Sequence, residues 1–157
     1  MKLSQKKLAK EDPAPKALSC YGVWCPNSDR MLLRFVRGRP VSAVTTDFLA
    51  WVVERLAEAG KRALLLVWDN ATWHGSQTVR EWVKAHNRKA RQEGGVRIVV
   101  CPLPTKSPWL NPIEPKWLHG KRAILEIERV LSPNEIQQRV CDHFGCELLQ
   151  PLSQPLC

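Results

Sequence analysis

The run Ala63-Leu64-Leu65-Leu66-Val67-Trp68 is apolar without alternation and stops at Asp69-Asn70. It is too short for a buried helix, and Gly60 and Asn70 bound it, so the pattern predicts a central parallel strand covered on both faces. A parallel strand needs a crossover connection to its neighbour, usually a helix, which commits the chain to an α/β arrangement. Asp69 then stands at the carboxyl end of that strand, where ligands gather in open sheets of this kind.

The flanking segments supply the rest of such a sheet. Ala17 to Trp24 and Met31 to Val36 are strand-like runs separated by the turn-forming cluster Pro26-Asn27-Ser28-Asp29, and they should pair antiparallel. From Thr46 to about Ala59, Leu49, Val52, Val53 and Leu56 recur at helical spacing, and Gly60 supplies a stop. A second helix is expected from Ser76 to Gln92, with Val79, Trp82, Val83 and His86 on one face and Gly94-Gly95 ending it. Val96 to Cys101 reads as a further strand. Pro102, Pro104, Pro108 and Pro112 then forbid regular structure until a helix can begin near Asn111. Ser132-Pro133-Asn134-Glu135 announces the last helix: a serine cap, proline at the first helical position and glutamate at the third.

A chain of 157 residues that is 44% hydrophobic can bury one core and not comfortably two. The expectation is a Pro-broken, flexible basic arm over 1–16, one domain over 17–147 and a tail over 148–157. A net charge of +9 makes an acidic polymer, nucleic acid above all, the natural partner. The six cysteines form no C-x-x-C pair and follow no secretory signal, so they read as reduced thiols of a cytoplasmic protein. Cys141, His143 and Cys146 lie on or just after a helix with no regularly spaced fourth ligand, so zinc is not expected. No apolar run approaches the roughly 18 residues of a membrane span.

Two hard carboxylates brought from different elements, Asp69 and Glu114, would suit magnesium, which prefers oxygen ligands. Two such ions roughly 3.5–4 Å apart can activate a water or a 3′-hydroxyl and stabilise the leaving oxygen of a phosphodiester. Each acid also has a plainer reading. Asp-Asn is a common turn dipeptide, and Asn111-Pro112-Ile113-Glu114 resembles a capping box. Spacing alone leaves both open.

The wording of the two segments goes further. Trp68-Asp69-Asn70-Ala71-Thr72-Trp73-His74 and Pro104-Thr105-Lys106-Ser107-Pro108-Trp109-Leu110-Asn111-Pro112-Ile113-Glu114 resemble the catalytic motifs of bacterial insertion-sequence DDE transposases related to the mariner group. The resemblance covers most of 17–147, including Arg34-Phe35-Val36 and Lys116-Trp117-Leu118-His119-Gly120-Lys121-Arg122. It implies a ribonuclease H-like mixed sheet flanked by helices, acting on DNA with Mg2+ or Mn2+, two ions in an intact relative. By that resemblance Asp69 is the second acid of the triad and Glu114 the third; Asn70 and His74 shape the site, and Asn111 caps the helix carrying Glu114.

The chain departs from the family pattern at the first acid, which should lie on a strand ahead of Ala17–Trp24. Glu11-Asp12 stands between Lys10 and Pro13 with no strand-like run before it, Asp29 lies in a turn and Asp47 at a helix start. The expectation is therefore the carboxyl-terminal part of a transposase, lacking the first strand and the helix-turn-helix region. Two acids offer fewer ligands, so weak metal binding and little or no strand transfer by this chain alone are expected. The rival reading is a catalytically inactive nucleic-acid-binding domain, an antagonist of an intact relative or a component of its oligomer; the expected partners are DNA and either further copies of the chain or an intact transposase.

Lys84, Arg88, Lys89 and Arg91 form the basic face of the second helix, and Lys106, Lys116, Lys121 and Arg122 lie in the motif segments. They are candidate phosphate contacts, with a solvated face as the simpler reading. Of the seven tryptophans, Trp51 and Trp82 are expected to be core, and Trp73, Trp109 and Trp117 flank the acidic motifs, to pack there or to stack on a base.

Overall fold

The computed structural model describes residues 2–4, 17–125 and 129–153. In chain order the elements are β1 (Lys2–Ser4), β2 (Ala17–Cys25), β3 (Arg30–Arg37), α1 (Ser42–Glu58), β4 (Ala63–Trp68), α2 (Gln77–Glu93), β5 (Arg97–Pro102), α3 (Ile113–Ile124), α4 (Pro133–Phe144) and β6 (Leu152–Ser153). The architecture is mixed α/β, as expected. It divides into two compact units, one built from the chain up to Arg39 together with Pro112–Ser153, the other from Pro40–Asn111.

In the first unit the sheet order is β1-β2-β3-β6. β2 and β3 pair antiparallel from Cys25↔Arg30 to Ser19↔Val36, around a 3-10 turn at Pro26–Ser28 that closes through Asp29 at φ 51°. Alternation puts Met31, Leu33 and Phe35 on one face of β3, where they are buried with Leu18 and Cys20 against Ile113, Trp117 and Ile124 of α3 and Ile136, Val140 and Cys141 of α4. Gly22 lies opposite Leu33, and a Cβ there would fall 2.4 Å from Cη2 of Trp117. The indole can lie over the sheet only because β2 carries no side chain at that point. α4 has the capping box that its sequence announces: Ser132 Oγ accepts from the Glu135 N–H at 3.2 Å, and Glu135 accepts from the Ser132 N–H at 2.8 Å. Arg129 and Ser132 together hold the Glu135 carboxyl down at about 2.

The two chain ends depart from the expected arm and tail. Lys2–Ser4 pairs antiparallel with Ala17–Ser19 of β2; the prolines that break the arm stand at 13 and 15, and 5–16 lie outside the described residues. Leu152–Ser153 pairs parallel with Val36–Arg37, fastened by Arg34 Nη2 donating to the Gln150 carbonyl at 2.6 Å.

In the second unit β4 and β5 are parallel, in register from Ala63↔Arg97 to Trp68↔Pro102. α1 starts at Ser42 rather than Thr46, because Val44, Thr45 and Phe48 are buried too and carry the apolar stripe back one turn. α2 runs as its caps dictate, from Ser76 accepting the Val79 N–H to Gly94 at φ 79°. Asn87 ties it to β5, donating to the Ile98 carbonyl and accepting the Ile98 N–H at 2.8 and 2.7 Å.

The expectation that β4 is covered on both faces is corrected. Leu64 and Leu66 are buried, but Leu65 is 67% and Val67 38% exposed. Among the described residues β4 pairs with β5 alone, and the helices of this unit stack on one side, α2 on β5 and α1 on α2. A two-stranded parallel pair with helices on one side buries alternate residues only.

Candidate active site

β4 ends at Trp68, so Asp69 is the first residue beyond the strand. The Asp69 Oδ1 accepts from the His74 ring at Nδ1, 2.9 Å away, and from the Ala71 N–H at 3.1 Å. The intervening residues form a tight turn, with the His74 and Gly75 N–H groups donating to the Ala71 carbonyl at 2.9 and 3.2 Å. That turn brings the imidazole back over its own strand: it stacks on Trp68 at 4.8 Å and 4°, and the edge of Trp73 closes on it at 5.9 Å and 78°. His74 is thus clamped by indoles and serves to orient Asp69. Asn70 donates to the Leu103 carbonyl, and the Leu103 N–H donates to the Trp68 carbonyl at 3.0 Å. These bonds bind the loop after β4 to the loop after β5.

The His74 hydrogen bond holds the Asp69 carboxyl below its usual range; partial burial opposes this and the Ala71 N–H adds to it. His74→Ala is expected to raise the Asp69 pKa, read by NMR titration of its carboxyl carbon. The pairing contributes stability at every pH above the unfolded value, about 3.9, and the contribution fades as pH falls through the lower folded value. An unchanged titration in His74→Ala would show that the ring does not hold the acid.

Glu114 lies in the first turn of α3, in the first unit, where a carboxylate complements the helix dipole. The expectation that Asn111 caps this helix is corrected. The capping position is Pro112, at φ −60° and ψ −16°, with no side-chain cap hydrogen bond. Pro112 is already helical and drives the residue before it to extended backbone, so Asn111 instead ends a 3-10 turn at Pro108–Leu110, its N–H donating to the Pro108 carbonyl at 3.0 Å.

Of the basic candidates, Lys84, Arg88, Lys89 and Arg91 are exposed on α2, with Lys89 3.9 Å from Glu93. Lys106 is exposed in the loop after β5 at φ 60°. Lys121 and Arg122 occupy the last turn of α3. Lys116 already has partners: its ammonium lies 4.1 Å above the Trp24 ring and 3.4 Å from Asp29. Trp24 and Asp29 come from the β2–β3 hairpin, far away in sequence, and no local pattern reveals that pairing.

Among the described residues no group of three or more His, Cys, Asp or Glu side chains is assembled to hold a metal ion. Asp69 fits the part of a single hard oxygen ligand, since both its hydrogen bonds end on Oδ1. Burial pushes the Cys20 and Cys141 thiols up to about 11 and raises Cys146, so they are protonated, and Cys146 donates to the Met31 carbonyl at 3.0 Å. Cys157 lies outside the described residues. No described helix is long and apolar enough to cross a membrane.

These features define an α/β protein that presents one acid at the carboxyl end of a parallel strand and another at a helix start. The family model described as DDE superfamily endonuclease matches residues 5–137, and the chain belongs to that family. No match was found among the curated proteins.

Proposed function

We propose that this chain is the catalytic part of an insertion-sequence transposase with a ribonuclease H-like fold, and that Asp69 and Glu114 are two of the three acids of its Mg2+ or Mn2+ site. The observation that carries this reading is Asp69 itself: a family-motif acid at the end of a parallel strand, oriented by a stacked histidine and held ionised. Divalent ions bound there would supply activation of the attacking oxygen and stabilisation of the leaving one in DNA strand cleavage and strand transfer. The chain's own contribution is to orient Asp69 through His74 and Ala71, to brace the two motif loops through Asn70, and to meet phosphate with the basic face of α2. The cytoplasm, with its reduced thiols, is the proposed compartment.

The first acid has no counterpart on a described strand before β2. Asp29 is in the hairpin turn and Asp47 is exposed on α1, while Glu11-Asp12 lies outside the described residues. We take this chain to bind metal weakly when alone and to associate as a homo-oligomer or with an intact transposase, of which only the latter can bring a first acid. That no acid stands on a described strand before β2 favours a second reading, a catalytically inactive DNA-binding domain.

DNA binding tests both. The logarithm of affinity should fall steeply with the logarithm of salt concentration, with a slope near −0.9 for each phosphate neutralised, and affinity that does not change with salt would exclude the basic face. Plasmid nicking then separates them. Mg2+-dependent nicking abolished by Asp69→Asn establishes an enzyme, and intact DNA binding without nicking, even when an intact relative is added, establishes the inactive binder.

A further inference from the structure

Six of the seven tryptophans have a partner for the ring. Trp24 lies under Lys116, Trp51 against Phe48, Trp68 and Trp73 against His74, Trp82 on His86, and Trp117 against Phe144. Trp109 is the exception among the described residues: no aromatic ring, imidazole or ammonium covers it, and it is 71% exposed. Its apolar surface is therefore open to a ligand that could bury it.

The backbone that carries the indole is tied down. Ser107 N–H donates to the Pro104 carbonyl at 3.2 Å, Leu110 N–H to the Ser107 carbonyl at 3.2 Å and Asn111 N–H to the Pro108 carbonyl at 3.0 Å. Pro108 and Pro112 restrict the backbone on either side. The loop that carries Trp109 leaves the same end of the β4–β5 pair as Asp69, since Trp68 and Pro102 are in register and Leu103 is hydrogen-bonded to both Trp68 and Asn70. Three residues before the indole stands Lys106, exposed and turned by a φ of 60°.

We infer that Trp109 is a stacking platform for an unpaired nucleobase at the DNA strand end handled by the Asp69 site, with Lys106 meeting an adjoining phosphate. An exposed ring on a hydrogen-bonded loop that also carries a cation three residues earlier, and that is joined to the acid's own loop, matches the way single-stranded nucleic acid is held: an aromatic face for the base and positive charge for the backbone. Stacking does not select a particular base, so the platform recognises that a nucleotide is unpaired and leaves its sequence unread. The inference rests on the DNA reading proposed above.

The test uses the whole chain and two duplexes, one blunt and one with a short unpaired 3′ end that carries 2-aminopurine. The wild-type protein should favour the unpaired end and quench its 2-aminopurine emission. Trp109→Ala should lose both effects, with affinity for the unpaired end falling by about 5- to 150-fold, the range that base–aromatic stacking contributes, and with blunt-duplex affinity unchanged. Trp109→Phe should keep most of the preference. Lys106→Ala should weaken both duplexes and reduce the salt slope by about one phosphate. Because the indole is exposed, Trp109→Ala should also melt at the wild-type temperature. Equal wild-type affinity for the two duplexes, or a preference that survives Trp109→Ala, overturns the inference and leaves the DNA reading standing. Failure to bind either duplex overturns both.

Discussion

Asp69→Asn is expected to weaken Mn2+ binding by at least about tenfold, measured by the loss of the free-ion electron paramagnetic resonance signal on titration. Losing only the hydrogen-bonding partner of a metal ligand costs about 10–100-fold in affinity, and removal of the ligand's charge should cost no less. Asparagine keeps the side chain's shape and an oxygen that can still accept from His74 and Ala71, so the fold should survive. His74→Ala should fall between the two, because it frees the carboxylate to move without removing it. Equal Mn2+ affinity in the wild type and Asp69→Asn would take Asp69 out of the metal site.

Trp117→Ala should cost about 3–5 kcal/mol of stability, the range for removal of a large aromatic from a core. The ring is 6% exposed, lies against the bare backbone of Gly22 and meets the edge of Phe144 at 5.4 Å and 86°. A neighbouring side chain cannot easily fill the void, because Gly22 offers none. A urea midpoint corresponding to a loss below about 1 kcal/mol would show that the indole is not what holds α3 to the β2–β3 hairpin. Trp117 stands three residues after Glu114 in the same helix, so a severe loss there would also release the acid.

Local patterns were legible where the physics is local. The Ser132 capping box, the glycine stop at 94 and the β2–β3 turn all rest on groups a few residues apart, and each forms as read. Misreadings came where the outcome depends on what lies opposite. Asn111-Pro112 carries the letters of a cap, yet the proline takes the capping position itself. The unbroken apolar run of β4 carries the letters of a doubly covered strand, yet Leu65 and Val67 are exposed because covering a face needs elements from elsewhere in the chain.

The candidate site divides the same way. That Asp69 ends a strand, and that its segment and the Asn-Pro-Ile-Glu segment resemble a transposase's acidic motifs, follows from residue order alone, because strand length and turn chemistry are written in adjacent side chains. Tertiary structure alone decided that His74 is clamped on Trp68 and holds the Asp69 carboxylate, that Lys116 is engaged by Trp24 and Asp29, and that Trp109 is left largely exposed. Stacking, ion pairing and exposure depend on which distant side chains come within a few ångströms, and that is set by how the elements pack.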